Sequence, residues 1–202
     1  VDGEIQQAIE TLRKGGIVAY PTDTVYGLGA SAFNDDAVAK VYEAKGRPRQ
    51  FALPLLLSSV SQIVLVATDV PAVAWRLADR FLPGGLTLIL NKAPTLSDLV
   101  TGGSDKIAVR VPNHPIPIAI VEGLGAPITG TSANISGCRS LVTPQEVLRQ
   151  MGDRVDLIVD GGRCPGGTDS TVVDLTEETP RIVRYGMIRR EEIEHVCGTR
   201  VR

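Results

Sequence analysis

Short apolar segments of strand type alternate with amphipathic helical segments along nearly the whole 202-residue chain, and this alternation constrains the fold more than anything else. Interleaved strands and helices define the α/β class, with helices covering the faces of a sheet. Ile5, Ala8, Ile9 and Leu12 recur at helical spacing, and Gly15-Gly16 supplies a stop. Residues 17–20 then read as a strand broken by Pro21. Asp35 or Asp36 caps a helix through Val38, Val41 and Tyr42 to about Lys45-Gly46. Asp69, with Pro71 in the first turn, opens another helix to about Phe81. Further strands are predicted at 53–57, 86–90, 107–111, 157–160, 171–174 and 181–184. Helices are predicted at 115–122, from the capping box Thr143-Pro144-Gln145-Glu146 to about Met151, and at 191–196. The strands are irregularly spaced and no repeat is evident. The expectation is one open, twisted mixed sheet with flanking helices, and residues 1–202 read as a single domain.

Composition narrows the function classes. Hydrophobic residues at 43% and charged residues at 22% argue against a disordered chain, and aromatics at 4% require an aliphatic core. A formal net charge of -2 argues against a globally basic nucleic-acid binder but leaves room for a local basic groove. No apolar run approaches the ~18 residues of a membrane span, and Val1-Asp2-Gly3-Glu4 has no signal-peptide character. Cys138, Cys164 and Cys197 form neither a zinc pattern nor a disulfide framework, and each reads as an inert thiol. His114 and His195 have no partner at ligand spacing and read as surface residues. The expected setting is cytoplasmic.

The 21 glycines and 13 prolines exceed ordinary usage and point to shaped loops. Four segments stand out. Pro21-Thr22-Asp23-Thr24-Val25-Tyr26-Gly27-Leu28-Gly29 follows a buried strand, where α/β sheets place ligands; a turn with Asx or Thr caps is the alternative. Lys45-Gly46-Arg47-Pro48-Arg49 holds three cations suited to phosphate oxygens, although a helix C-terminus also favours such residues. Thr129-Gly130-Thr131-Ser132-Ala133-Asn134-Ile135-Ser136-Gly137 is dense in small donors that make an anion nest. Gly166-Gly167-Thr168-Asp169-Ser170-Thr171 places hydroxyls at a strand start. Arg110 and Arg184 interrupt otherwise apolar strands, facing either solvent or a shared anion cleft. No Walker or dinucleotide glycine pattern occurs, and no acidic cluster marks a metal site.

Taken together, these segments resemble the YrdC-like family of L-threonylcarbamoyladenylate synthases. Val109-Arg110-Val111-Pro112 with His114-Pro115, Asp160-Gly161-Gly162, Ser170-Thr171-Val172-Val173-Asp174 and Arg184 extend the match over roughly residues 5–190. The resemblance implies a nucleotidyltransferase that joins L-threonine, bicarbonate or CO2, and ATP into threonylcarbamoyl-AMP with release of pyrophosphate. A tRNA threonylcarbamoyl-transferase would use the product to modify adenosine beside the anticodon. It also implies a positively charged groove, Mg²⁺ arriving with ATP, and weak tRNA or RNA binding as a further partner.

By the same resemblance, Thr24, Arg110, Gly130 and Ser170 would hold threonine, with Arg110 on its carboxylate and Gly130 contributing backbone. Lys45 and Arg47 would act electrostatically on the ATP phosphates, with Ser132, Asn134, Ser140 and Arg184 around the nucleotide and no general base assigned. Alanine at Lys45 or Arg47 is expected to abolish turnover with the fold intact. The chain departs from the family pattern at Phe51-Ala52, Gly85, Thr131 and Tyr185, and its length fits the short, single-domain form. An RNA-binding module without adenylate chemistry is the alternative, and a carbamoyl-transfer relative with another acceptor is a third reading.

Overall fold

The structure is a computed structural model that describes residues 2–202. The first half of the chain runs α1 (Asp2–Arg13), β1 (Val18–Tyr20), β2 (Gly27–Gly29), α2 (Asp35–Lys45), β3 (Leu55–Leu56), β4 (Ala67–Thr68) and α3 (Ala72–Phe81). Next come β5 (Leu86–Lys92), α4 (Asp98–Thr101), β6 (Lys106–Arg110), α5 (Pro115–Leu124), β7 (Ile128–Thr129) and β8 (Thr131–Ser132). The last elements are α6 (Pro144–Met151), β9 (Leu157–Ile158), β10 (Thr171–Asp174), β11 (Arg181–Arg184) and α7 (Arg190–Cys197). The α/β class expected from the alternation is the one observed.

The strands divide between two sheets rather than forming one. The smaller has the order β8-β2-β1-β9 and the larger β11-β10-β5-β6-β3-β7, with β4 beside β5. Both are mixed: β1 is parallel to β9 and antiparallel to β2, and β5 is parallel to β10 and antiparallel to β6. The division falls at Gly130. β7 pairs with β3, β8 pairs with β2, and the Gly130 N–H between them turns aside to the Pro54 carbonyl at 2.7 Å. A side chain at Gly130 would put its Cβ 2.6 Å from Leu56, so the crossing requires glycine.

Two apolar clusters fill the molecule. The larger packs α2 and α3 on the larger sheet through Val38, Val41, Leu77, Leu88 and Val109; the smaller packs α1 on α5 through Ala8, Leu12, Ile116 and Ile120. The core is aliphatic, as the composition requires. Its buried tyrosines satisfy their hydroxyls on carbonyls: Tyr20 on Thr129 at 2.6 Å, Tyr26 on Gly162 at 2.8 Å and Tyr42 on Leu99 at 2.9 Å. No helix among the described residues is long and apolar enough to cross a membrane.

Several local expectations shift. Asn34, not Asp35 or Asp36, caps α2, accepting from the Ala37 N–H at 3.0 Å. The helix expected from Asp69 begins at Ala72 with Pro71 as its cap, and Asp69 has a left-handed φ of 49°. His114 is half-buried instead of lying on the surface, because its Nδ1 caps α5 by accepting from the Ile116 N–H at 3.3 Å. The capping box at Thr143 and Glu146 is present in both directions. Gly27 and Gly29, within the segment singled out after the first strand, form β2. A Cβ at either would lie within 2.7 Å of the Tyr20 ring across the strand pair.

Asp174 ties the end of β10 to β6. Burial is the largest single influence on its carboxyl and pushes its pKa up. Hydrogen bonds from Thr176 and Lys106, with the Lys106 charge, together outweigh burial and hold it at about 2. Its ordinary value is 3.8, so the folded state binds protons later than the unfolded chain. The stabilisation, about 2 kcal/mol, is present above pH ~4 and lost as pH falls toward 2. Asp174→Asn should therefore lower stability at pH 7 and flatten this part of the acid-unfolding curve, as read by denaturant titrations at several pH values.

Candidate active site

One cavity of about 330 Å³ opens between the two sheets, and the candidate residues meet there from distant parts of the chain. The loop after β1 contributes Thr22 and Thr24; β8 and its approach contribute Gly130 and Ser132; β5, β6 and β10 contribute Thr87, Ala108, Arg110 and Val172. Thr131, Arg47, Ser140, Asp169, Ser170 and Arg184 complete the charged and hydroxyl lining. Its volume is in the range of small-molecule sites, and three guanidinium groups against one carboxylate make its wall cationic.

Each group is positioned by local chemistry. The Thr22 hydroxyl donates to the Val25 carbonyl at 2.7 Å and accepts from the Thr24 N–H at 3.1 Å, closing a turn that presents Thr24 to the cavity. Gly46 ends α2 at a left-handed φ of 59°, and the Arg47 N–H returns to the Tyr42 carbonyl at 2.9 Å. The Arg47 guanidinium donates to the Phe51 and Ala52 carbonyls at 3.2 and 3.1 Å and stacks 5.6 Å from the Phe51 ring centroid. Phe51-Ala52, where the chain departs from the family pattern, thus forms the seat of Arg47.

Arg184 and Ser170 act as a unit. Arg184 donates through Nε and Nη2 to the Ser170 carbonyl at 3.2 and 3.0 Å and through Nη2 to its hydroxyl at 3.1 Å. That hydroxyl lies 2.7 Å from Thr87 Oγ1. Arg184 Nη1 also lies 3.5 Å from the carboxylate of Asp169. Arg110 donates through Nη2 to both carboxylate oxygens of Asp23 at 2.8 and 2.7 Å, and through Nε to the Gly84 carbonyl at 2.8 Å.

Two expected nucleotide residues lie outside this cavity. Lys45 is 2% exposed, and its ammonium donates to the carbonyls of Ser132 at 2.5 Å and Asn134 at 2.7 Å. It stands behind the Ser132 loop rather than lining the cavity, because α2 ends against that loop and the Ser136 N–H closes on the Lys45 carbonyl at 2.8 Å. Burial, and then the Arg47 charge, lower its pKa to about 8. Asn134 is also turned inward, donating to the carbonyls of Ile135 and Cys138 at 3.0 and 2.7 Å and accepting from Ser132 Oγ. Gly130 lines the cavity, but its N–H is already taken by Pro54. The cysteines are free, and burial pushes the pKa of the Cys164 thiol up.

A family model described as Telomere recombination (Sua5_yciO_yrdC) matches residues 10–186. The chain belongs to the Sua5/YciO/YrdC family. Among its relatives in that family, the threonylcarbamoyl-AMP synthase of Pyrococcus abyssi is 43% identical over 96% of this chain and 57% of its own. That of Bacillus subtilis is 43% identical over 98% of this chain and 57% of its own. A crystal structure of P. abyssi Sua5 complexed with L-threonine superposes with a TM-score of 0.95 at 41% identity, covering 100% of this chain and 60% of that one. The chain thus spans little more than half the length of these relatives.

For this Sua5/YciO/YrdC member, sequence reasoning missed Asp23, Thr87 and Asp169. Thr87 left a faint signal, a lone hydroxyl within the apolar run 86–90. Asp169 lay inside a segment already singled out for its hydroxyls. Arg47→Ala is expected to remove turnover with little change in melting temperature, since its bonds are to an exposed rim; parallel assays and thermal melts check this.

Proposed function

We propose that the chain, read as one domain over residues 1–202, is an L-threonylcarbamoyladenylate synthase. What carries the reading is the convergence of eight expected residues, Thr24, Arg47, Arg110, Gly130, Ser132, Ser140, Ser170 and Arg184, on one cationic cavity. Membership of the family and the likeness to Sua5 support it. Threonine's free amine attacks CO2, a C–N bond forms, and the nitrogen loses a proton to solvent. A carbamate oxygen then attacks the α-phosphorus of ATP. The bond to the β-phosphate breaks, and pyrophosphate leaves with the electron pair.

The carbamate is already anionic, so no protein base is needed for the second step. The chain's work is to bring three anionic groups together and hold them in line. Thr24, Ser170 and Arg110 hold threonine, the last through its carboxylate. Arg47, Ser132, Ser140 and Arg184 face the phosphates, where guanidinium and hydroxyl donors meet the charge that develops as the bond breaks. Lys45 and Asn134 serve the same end from behind, by fixing the Ser132 loop.

ATP enters as its magnesium complex, in which the cation neutralises phosphate charge. Among the described residues no group of three or more His, Cys, Asp or Glu is placed to hold a metal, and the one carboxylate on the wall, Asp169, already faces Arg184. The cation is read as arriving with the nucleotide. We place the protein in the cytoplasm, with a tRNA threonylcarbamoyl-transferase as consumer of the product. Pyrophosphate release from ATP with bicarbonate, with and without L-threonine, tests the reading. Threonine-dependent release supports it; RNA binding with no such release supports the binding-module alternative instead.

A further inference from the structure

We infer that Asp23 is a positioning residue for the substrate's carboxylate, acting through Arg110. The inference rests on the proposed function and extends it to a residue outside the cavity lining. Arg110 ends β6 and would have several rotamers at the cavity edge if left free. Two anchors remove that freedom. Its Nε is held by the Gly84 carbonyl, and the Gly84 N–H is itself tied to the Val111 carbonyl at 2.9 Å, so this anchor belongs to the larger sheet. Its Nη2 is held by both oxygens of Asp23, at the apex of the turn closed by the Thr22 hydroxyl in the loop after β1.

The ion pair therefore ties the loop after β1 to the end of β6. Both carboxylate oxygens sit on one nitrogen, which leaves Nη1 as the only guanidinium nitrogen without a protein acceptor among the described residues. The Arg110 side chain is 11% exposed and that of Asp23 14%, so the pair is held where water competes weakly. Asp23 thus directs the N–H groups of Nη1 at the incoming carboxylate and spares the substrate the cost of ordering a free arginine. A second role for the same carboxylate is opposite in sign: a placeholder that substrate must displace from Arg110. The two roles predict opposite changes in threonine affinity.

The test uses D23N, R110Q and the double variant in the pyrophosphate-release assay, with titrations of L-threonine and of ATP. D23N is expected to raise the KM for threonine about tenfold while leaving the KM for ATP within about twofold. It should also narrow the preference for L-threonine over L-threoninamide, which lacks the carboxylate that Arg110 reads. In the R110Q background, D23N should cause no further loss in kcat/KM for threonine. A lowered KM for threonine, or equal losses for threonine and ATP, would overturn the inference, as would a D23N effect that persists undiminished in R110Q. The last comparison is made between two proteins already lacking the ion pair, so it holds even where D23N alone is less stable. A wild-type protein without threonine-dependent turnover refutes the proposed function, whereas an active wild type with an unaltered D23N refutes only the role of Asp23.

Discussion

Replacing Lys45 with methionine is expected to lower the melting temperature by roughly 5–15 °C and to remove turnover, although the ammonium group lies outside the cavity. Methionine keeps the aliphatic stem and its packing but donates nothing. The Asn134 carbonyl, which the ammonium satisfies at 2.7 Å, is left without that donor, and the Ser132 carbonyl, 2.5 Å from the ammonium, keeps only the Asn134 N–H at 3.0 Å. An unmet buried group costs about 1–3 kcal/mol, and for a chain of this size each kcal/mol is worth about 2–4 °C. Turnover fails because the same loop carries Ser132 into the cavity.

Alanine at Lys45, expected from the sequence to spare the fold, is expected from these contacts to weaken it. A pH dependence follows from the depressed pKa. The unfolded lysine titrates near 10.5 and the folded one near 8, so between these values the unfolded chain binds more protons. The stability linked to Lys45 therefore rises from pH 8 toward 10.5 and is lost as pH falls through 8. Wild type should gain on Lys45→Met over that interval in parallel thermal melts. Equal slopes for the two proteins would show that the ammonium is not buried as described.

Arg110→Gln is the second large effect, and its signature differs. The KM for threonine should rise about a hundredfold, because the proposed charge-assisted clamp on the carboxylate would be replaced by one neutral donor. The KM for ATP should change little, since Arg47, Ser132 and Arg184 remain in place. Stability should fall by about 3 kcal/mol, because Asp23, 14% exposed, loses its partner. Titrations of each substrate with melts of the same preparation separate the two consequences. A variant that loses ATP and threonine affinity equally would place Arg110 at the nucleotide instead.

What could be read from the sequence was what local chemistry decides. The capping box of α6 is such a case, because Thr143 and Glu146 answer each other within three residues. The sequence reading puts the cap of α2 at Asp35 or Asp36, whereas the turn of the chain places it one residue earlier, at Asn34, whose side chain is as good a cap. β2 was hidden because two of its three residues are glycine. Glycine disfavours strands in isolation but is required here by the Tyr20 ring on the partner strand. β3, β4, β7, β8 and β9 are two residues each, too short to carry any period.

The same division runs through the site. Hydroxyl-rich and cation-rich segments announce themselves, and their convergence on one cavity follows the resemblance. The destination of a single charge does not. Lys45 and Arg47 look alike beside Gly46. One reaches inward to carbonyls 87 and 89 positions away, while the other lies along carbonyls four and five positions on. Asp23 is likewise a turn aspartate until β6 brings Arg110 to it from 87 positions away.

Whether this cavity joins three substrates is read most directly by following the carbon. Isotopically labelled bicarbonate is supplied with ATP and L-threonine, and the products are separated and weighed by mass spectrometry. The proposed reaction yields one product that holds the label, the threonine and the AMP together, formed in step with pyrophosphate and missing when any one substrate is left out. Pyrophosphate or AMP appearing without a labelled adduct, or an adduct that forms equally well without threonine, would contradict it.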